Sequence, residues 1–492
     1  MRRLGVLVLL TLFAMPARAH VGSPNVFFDG DAGPYPVRVI VRTPEVIPGL
    51  AEITVRLRDG APGPADQVTV QPVQWKAGIK GAPPPDRAAP VPGALGTWTA
   101  QLWLMVQSSY SVRVHVKGPA GEGVAIVPVT ATPRRVLEMN RGLGFVLAGL
   151  GLFLFAGAVS IVGAAVRESV LPPGEVPDAR RRNRARAVAA LAGVVLALAL
   201  WGGKNWWDSV DGEARESLFK PFDVETTARL DGGRPVLEMK IQDWRQAEWS
   251  PLMPDHGKLM HMFLVREPDL DAFAHIHPVP VKSQEEFRAA LPPLPAGKYR
   301  VYADVVHESG FPQTLVDTVT IPAGSGEASP SADPDDSWRT AEPLRKGAPT
   351  AGPKVSLLED GGTMLWHQEP LAAGRETTLR FEVRGADGQP LPLEPYMGML
   401  SHAAISRKDG QVFVHLHPSG SINMAAQQAF AAQEGKGVDH SAHTGHAAHH
   451  APSVVSFPYE FPQPGRYRVW VQVKSGGKVR TGVFDTEVMN TP

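Results

Sequence analysis

One strand pattern is written twice in this chain, and it requires the two stretches that carry it to fold alike. The first copy reads Met260-His261-Met262-Phe263-Leu264-Val265, then Phe273-Ala274-His275-Ile276-His277-Pro278. The second reads His402-Ala403-Ala404-Ile405, then Phe413-Val414-His415-Leu416-His417-Pro418. Each is followed by a matching strand start, Ala296-Gly297-Lys298-Tyr299-Arg300-Val301 and Pro464-Gly465-Arg466-Tyr467-Arg468-Val469. Alternation with period two, bounded by turn residues, is the signature of β-strands. Two related β-domains follow, each with one upstream histidine and one His-x-His pair.

The register of those strands can be argued from the sequence. Asp409-Gly410 is a two-residue hairpin turn signal. Pairing Lys408 with Gln411 places Ile405 opposite Val414, Ala404 opposite His415, and His402 opposite His417. In the second domain a turn over Glu267 to Asp271 pairs Arg266 with Ala272, which sets Phe263 opposite His275 and His261 opposite His277. Two loops of different length therefore lead to the same cross-strand histidine pair. Opposed residues hold their Cβ atoms about 4.5–5.5 Å apart, close enough for two imidazoles to share one ion. Residues two apart face the same way, so His275 and His415 join the same rows.

In the third domain Ala403, Ile405, Val414 and Leu416 form the apolar face, and the histidines lie on the other face with Ser406. Core packing does not account for them there. In the second domain both faces are apolar, so a structural role competes with ligation. His256, Met260, Met262, Met397 and Met399 lie close to the upstream histidines in sequence. Thioether sulfur favours Cu(I), and imidazole suits copper, zinc and nickel. The mixture points to shallow His/Met sites for copper, as Cu(I) or Cu(II). His307 is a further candidate in the second domain, with Ser475 at its counterpart. Asp255 and Asp304 stand near histidines as single acids with no specific role.

The third domain carries an insertion. Ile422 to Gln433 reads as a short helix, followed by His440, His443, His446, His449 and His450 among small residues. Such a tract cannot build a core and reads as a metal-collecting segment of modest affinity, open to copper, zinc or nickel.

The chain has 492 residues, no cysteine and zero formal net charge. Disulfides, iron–sulfur clusters, thiol nucleophiles and blue-copper thiolates are excluded, and no bulk positive field recruits nucleic acid. No nucleophile constellation, phosphate-binding glycine loop or paired catalytic carboxylates stand out, so no enzymatic activity is expected. Arg2-Arg3, an apolar run to Met15 and Ala17-Arg18-Ala19 read as a secretory signal peptide over 1–19. Cleavage there would leave His20 first, its free amine and imidazole forming a chelate for Cu(II). Charge-free runs at 142–166 and 187–203 are long enough to span a bilayer, the second barely so. The arginine-rich loop 167–186 between them places itself in the cytoplasm by the positive-inside rule. Trp201, Trp206 and Trp207 mark the far interface. A membrane hairpin with both large segments in the periplasm follows, anchored in the inner (cytoplasmic) membrane. Almost no polar groups lie within the spans, which argues against a transporter.

Residues 20–133 alternate as short strands separated by Pro- and Gly-rich turns, and His115 there reads as solvent-facing. Ile47-Pro48-Gly49-Leu50-Ala51-Glu52-Ile53-Thr54-Val55 and Gly96-Thr97-Trp98-Thr99-Ala100-Gln101-Leu102-Trp103-Leu104 make this segment resemble the periplasmic YtkA/FixH-like β-sandwich family. The resemblance covers this domain alone and implies a link to metal and respiratory-oxidase homeostasis. An N-terminal His20 also looks like the start of CopC-like copper carriers and of histidine-brace copper monooxygenases. A brace needs a second imidazole, and this domain offers only His115. The motifs His256-Gly257-Lys258-Leu259-Met260-His261 and Pro395-Tyr396-Met397-Gly398-Met399 are similar to those of exported proteins associated with copper functions.

The expected architecture is mainly β: three immunoglobulin/cupredoxin-like β-sandwich domains, with a transmembrane helical hairpin between the first and second. A linker at 204–218 leads to a sandwich over 219–322, and a linker at 323–354 to a sandwich over 355–492. The expected function is copper buffering or delivery to a periplasmic donor or acceptor protein. The alternative is a non-metal scaffold or assembly factor for a respiratory complex. A copper oxidase is the weakest reading, lacking both thiolate and complete brace.

Overall fold

Strands dominate the chain because short alternating runs are punctuated by glycine and proline turns. The computed structural model describes the backbone of residues 20–21 and residues 25–172, 174–242, 250–324, 333–344, 347, 352–435 and 452–491. The expected signal peptide and the histidines from His440 to His450 lie outside the described residues.

Three sandwiches form, each from two sheets closed over an apolar core. The first spans Asn25–Ala32 to Gly121–Ala131, and its core is rich in valine. The second pairs a sheet of Val224–Asp231, Arg234–Ile241, Glu286–Ala290 and Val279–Pro280 with a larger sheet. That larger sheet runs Leu252–Met253, Gly297–His307, His261–Arg266, Ala272–Ile276, Ser337–Thr340, with Pro312–Ile321 also on Gly297–His307. The third sandwich repeats this plan. Its histidine-bearing sheet runs His20–Val21, Val412–Leu416, Ser401–Arg407, Gly465–Ser475, Lys478–Val488.

The expected registers hold along the paired stretches, which end at Met262–Ile276 and Ala403–Leu416, one step short of the expected His261–His277 and His402–His417 pairs. Ile405 pairs with Val414 and Ala404 with His415, while Phe263 pairs with His275. Ala403, Ile405, Val414 and Leu416 enter the third core, as the alternation requires.

Two boundaries differ from the sequence reading. The expected linker 204–218 is helical to Glu216, because the second apolar helix runs unbroken from Ala179 to Glu216. Lys204–Asp208 and Arg215–Asp211 pairs one turn apart carry it past the apolar run. In the expected linker 323–354, Ser337–Thr340 is instead an edge strand of the second sandwich, paired with Ala272–Ile276.

Residues 132–220 form a separate unit. Its helices, Arg141–Glu168 and Ala179–Glu216, are long and apolar enough to cross a membrane. The Asn140 side chain accepts from the amides of Gly142 and Leu143, and Asp178 accepts from that of Arg181, capping both N-termini.

Candidate metal centre

The outer faces of the two histidine-bearing sheets pack against each other. Phe263, Phe273, Tyr302, Ala404, Phe413 and Trp470 share one buried apolar cluster between the second and third sandwiches. Its contacts are reciprocal. Tyr302 stacks on Phe413 at 3.9 Å, and Trp470, at the position of Tyr302, stacks on Phe273 at 4.7 Å. Arg300 donates to the Asp409 carbonyl, and Arg468, its counterpart, donates to the Leu270 carbonyl. Such exchange of equivalent contacts is that of an isologous two-fold interface, here within one chain.

All six histidines of the repeated pattern lie in this interface and are buried. In the second sandwich His261 Nε2 lies 3.0 Å from the Asp255 carbonyl oxygen. A carbonyl only accepts, so Nε2 carries the proton and Nδ1 keeps its lone pair. His275 Nδ1 faces Gln472 Oε1 at 2.9 Å, the amide being oriented by its donation to Ser337 Oγ. His277 Nδ1 donates to Asp336 Oδ1 at 2.8 Å. The lone pairs of His261 Nδ1, His275 Nε2 and His277 Nε2 remain. The first two face each other at 3.2 Å, and His277 Nε2 has no hydrogen-bond partner.

The third sandwich repeats the arrangement. His402 Nε2 donates to the Tyr396 carbonyl at 3.0 Å and His417 Nδ1 to the Ile422 carbonyl at 3.0 Å. His415 Nδ1 lies 3.4 Å from Asp304 Oδ2. His402 Nδ1 faces His415 Nε2 at 3.1 Å, and His417 Nε2 has no hydrogen-bond partner. A fourth imidazole reaches this site from the second sandwich. His256 sits 5.2 Å from His402 and 5.0 Å from His417 by ring centroids, with its Nε2 also unpartnered.

These groups meet the requirements of a metal site. Two nitrogens bound to one tetrahedral ion at 2.0–2.1 Å lie about 3.3 Å apart, close to the spacing of the facing pairs. Ligand atoms of His261, His275 and His277 lie within 4.8 Å of one another, as do those of His256, His402 and His417. Five of the six repeat histidines place their other ring nitrogen on a carbonyl, amide or carboxylate oxygen, and His415 Nδ1 lies beside the Asp304 carboxylate, the second layer that orients metal-binding imidazoles. Without an ion, facing lone pairs and unpartnered nitrogens are costly in a buried site. Burial, then the neighbouring imidazoles, hold His261, His275, His402 and His417 well below the ordinary histidine pKa. Burial lowers His256 as well. Neutral imidazole is the ligating form.

The structure separates the other sequence candidates. Met260 and Met262 lie in the second core among Leu264 and Phe287, filling apolar space. Met397 and Met399 are buried beside His402 in sequence, and alignment sets them opposite His256 and Lys258. His307 is held by the Ser250 carbonyl and Gln313, packed on Phe222. His115 is half-buried rather than solvent-facing. The His20 backbone pairs with Val412, at the start of the strand that bears His415. The sites are buried rather than shallow, because each sandwich covers the other's histidine face. Sequence reasoning missed Asp336 and Gln472, and noted Asp304 near the histidines without giving it a role. Asp304 and Gln472 stand opposite His261 and His402 on the next strand, a register that only strand order reveals.

No curated protein matches the chain. Among solved structures it is similar to a tetra-tandem repeat in the extending region of a large adhesion protein: 9% identity, TM-score 0.15, covering 92% of this chain and 73% of that one. It is also similar to the chicken CNTN1 FN1-FN3 domains: 10% identity, TM-score 0.13, covering 91% and 97%. A third is Parabacteroides merdae β-glucuronidase: 7% identity, TM-score 0.17, covering 94% and 78%. The family described as "Domain of unknown function (DUF8832)" matches residues 222–322 and 356–490, the second and third sandwiches.

Proposed function

We propose that this chain is a membrane-anchored periplasmic copper-binding protein that holds copper between its second and third sandwiches, for buffering or for transfer to an acceptor protein. One observation carries the reading. In each sandwich buried imidazoles face one another across 3.1–3.2 Å or leave a ring nitrogen without a hydrogen-bond partner, while the opposite nitrogens of all but His415 are held by an oxygen and that of His415 lies beside Asp304.

The donor chemistry supports copper. All-imidazole sites bind Cu(II) most tightly of the divalent first-row ions, and Cu(I) accepts imidazole and thioether. The ligands are neutral, with Asp336 and Asp304 one ring removed to offset the ion's charge. Burial favours retention over rapid exchange, so release to an acceptor would require the two sandwiches to separate. The first sandwich, by its resemblance to the YtkA/FixH-like family, and the helical hairpin fit a role at the inner membrane. The His440–His450 tract would collect ions weakly. The protein is read as a binding protein, not an enzyme.

The test is Cu(I) and Cu(II) titration of the full chain in detergent after chelator stripping, with residues 436–451 deleted. Tight binding of two ions, lost when His261, His277, His402 and His417 become alanine, is expected. Only weak binding by the parent protein would overturn the reading and favour a structural role for the histidines.

A further inference from the structure

The two sites do not have the same fourth donor. His256 crosses from the second sandwich to the histidines of the third. Counting back from His261 and His402, the position of His256 is held in the third sandwich by Met397.

The two turns match closely. His256 and Met397 have φ of 52° and 51°, and the following Gly257 and Gly398 have φ of 80° and 79°. Asp255 bridges Lys258, and Tyr396 bridges Met399, in the same antiparallel way. A turn with two successive positive φ angles ordinarily takes Asn-Gly. Here both copies place a long side chain with a donor atom in the strained position. The tips of the two turns also meet, since His256 Nδ1 lies 3.8 Å from where a Cβ would stand on Gly398.

The reciprocal stacking and arginine contacts define an operation that exchanges the two sandwiches. Applied to the contact of His256 with His402 and His417, that operation predicts a matching approach of Met397 to His261 and His277. Met397 is buried at 8% exposure, as a group in that position must be.

We infer that Met397 supplies a thioether as fourth donor to the His261/His275/His277 site, while His256 supplies an imidazole to the site of His402 and His417. One site of the pair thus offers three imidazoles and a thioether, a set suited to Cu(I). The other offers imidazoles alone, from His256, His402 and His417, a set suited to Cu(II). The inference rests on the copper reading above and adds that the sites differ in oxidation-state preference. The two sites are also close, with His261 and His415 rings 5.6 Å apart, so their ions sense each other.

Copper K-edge absorption on the full chain in detergent, with residues 436–451 deleted, tests this. The protein is loaded with Cu(I), and its affinity is measured by competition with a chromophoric chelator. Copper–sulfur scattering is expected from about one of two bound ions. Met397→Leu should abolish it and weaken one class of Cu(I) site tenfold or more, leaving the second class unchanged. Met397→His should restore two-ion loading without sulfur scattering and tighten Cu(II) binding. Two bound coppers with no sulfur scattering, or scattering that survives Met397→Leu, would overturn the inference and leave the histidine sites standing. Failure of the parent protein to bind copper would overturn both.

Discussion

Acidification should destabilise the metal-free protein through its histidine cluster, and the size of the effect follows from burial. His261, His275, His402 and His417 are at most 2% exposed, and burial holds each pKa well below the ordinary value of 6.5. The unfolded chain binds protons on these groups near pH 6.5, whereas the folded chain keeps them neutral. The unfolded state therefore binds more protons, and stability falls as pH drops. Between pH 7.0 and 5.5 a group that stays neutral when folded loses about 1.3 kcal/mol relative to one that titrates freely. Four such groups set an upper limit of about 5 kcal/mol, comparable with the whole stability of many domains. Thermal unfolding of the chelator-stripped chain, followed by tryptophan fluorescence at both pH values, reads the loss. A variant with the four histidines replaced by glutamine is the control. Copper should move the acid transition to lower pH, because bound imidazole cannot protonate without releasing the ion. A parent protein whose acid sensitivity equals that of the glutamine variant would refute the argument.

Three further outcomes are expected. Removing one lone pair, as in His277→Ala or His417→Ala, should lower tight copper from two ions per chain to one, measured by elemental analysis after dialysis. Asp336→Asn weakens the orientation of His277 and should cost 10- to 100-fold in affinity at one site, with little change in melting temperature. Trp470→Ala removes a side chain 1% exposed and stacked on Phe273. It should destabilise the fold by about 3–5 kcal/mol and weaken both copper sites together, since the ring lies in the interface they share; titration and denaturant unfolding on the same sample would show whether the two effects travel together.

Much of this arrangement was legible in the residues alone. Period-two alternation gave the strands, and Asp409-Gly410 fixed a hairpin whose register set Ala404 opposite His415, as found. The two charge-free runs marked the two long helices. Methionine was less legible, because Met260 and Met262 have the composition of ligands but the facing of core residues. The helix through 204–216 was hidden by its polar sequence, which forms i,i+4 pairs only once the helix exists.

What the sequence determined by itself was local: alternation along a strand, a turn, and therefore which side chains share a face. It placed three histidines on one face of each repeat and showed, for the third sandwich, that the face was not the core. It carried no information on what covers that face, because alternation distinguishes two sides of a sheet and says nothing of the neighbour on either. Only the tertiary structure set the faces against each other and merged the two rows into one buried cluster. It also brought His256 across to the partner sandwich, and placed Asp304, Gln472 and Asp336 behind the rings. Those contacts join residues far apart in the chain, and their energy comes from burying two histidine-bearing surfaces together.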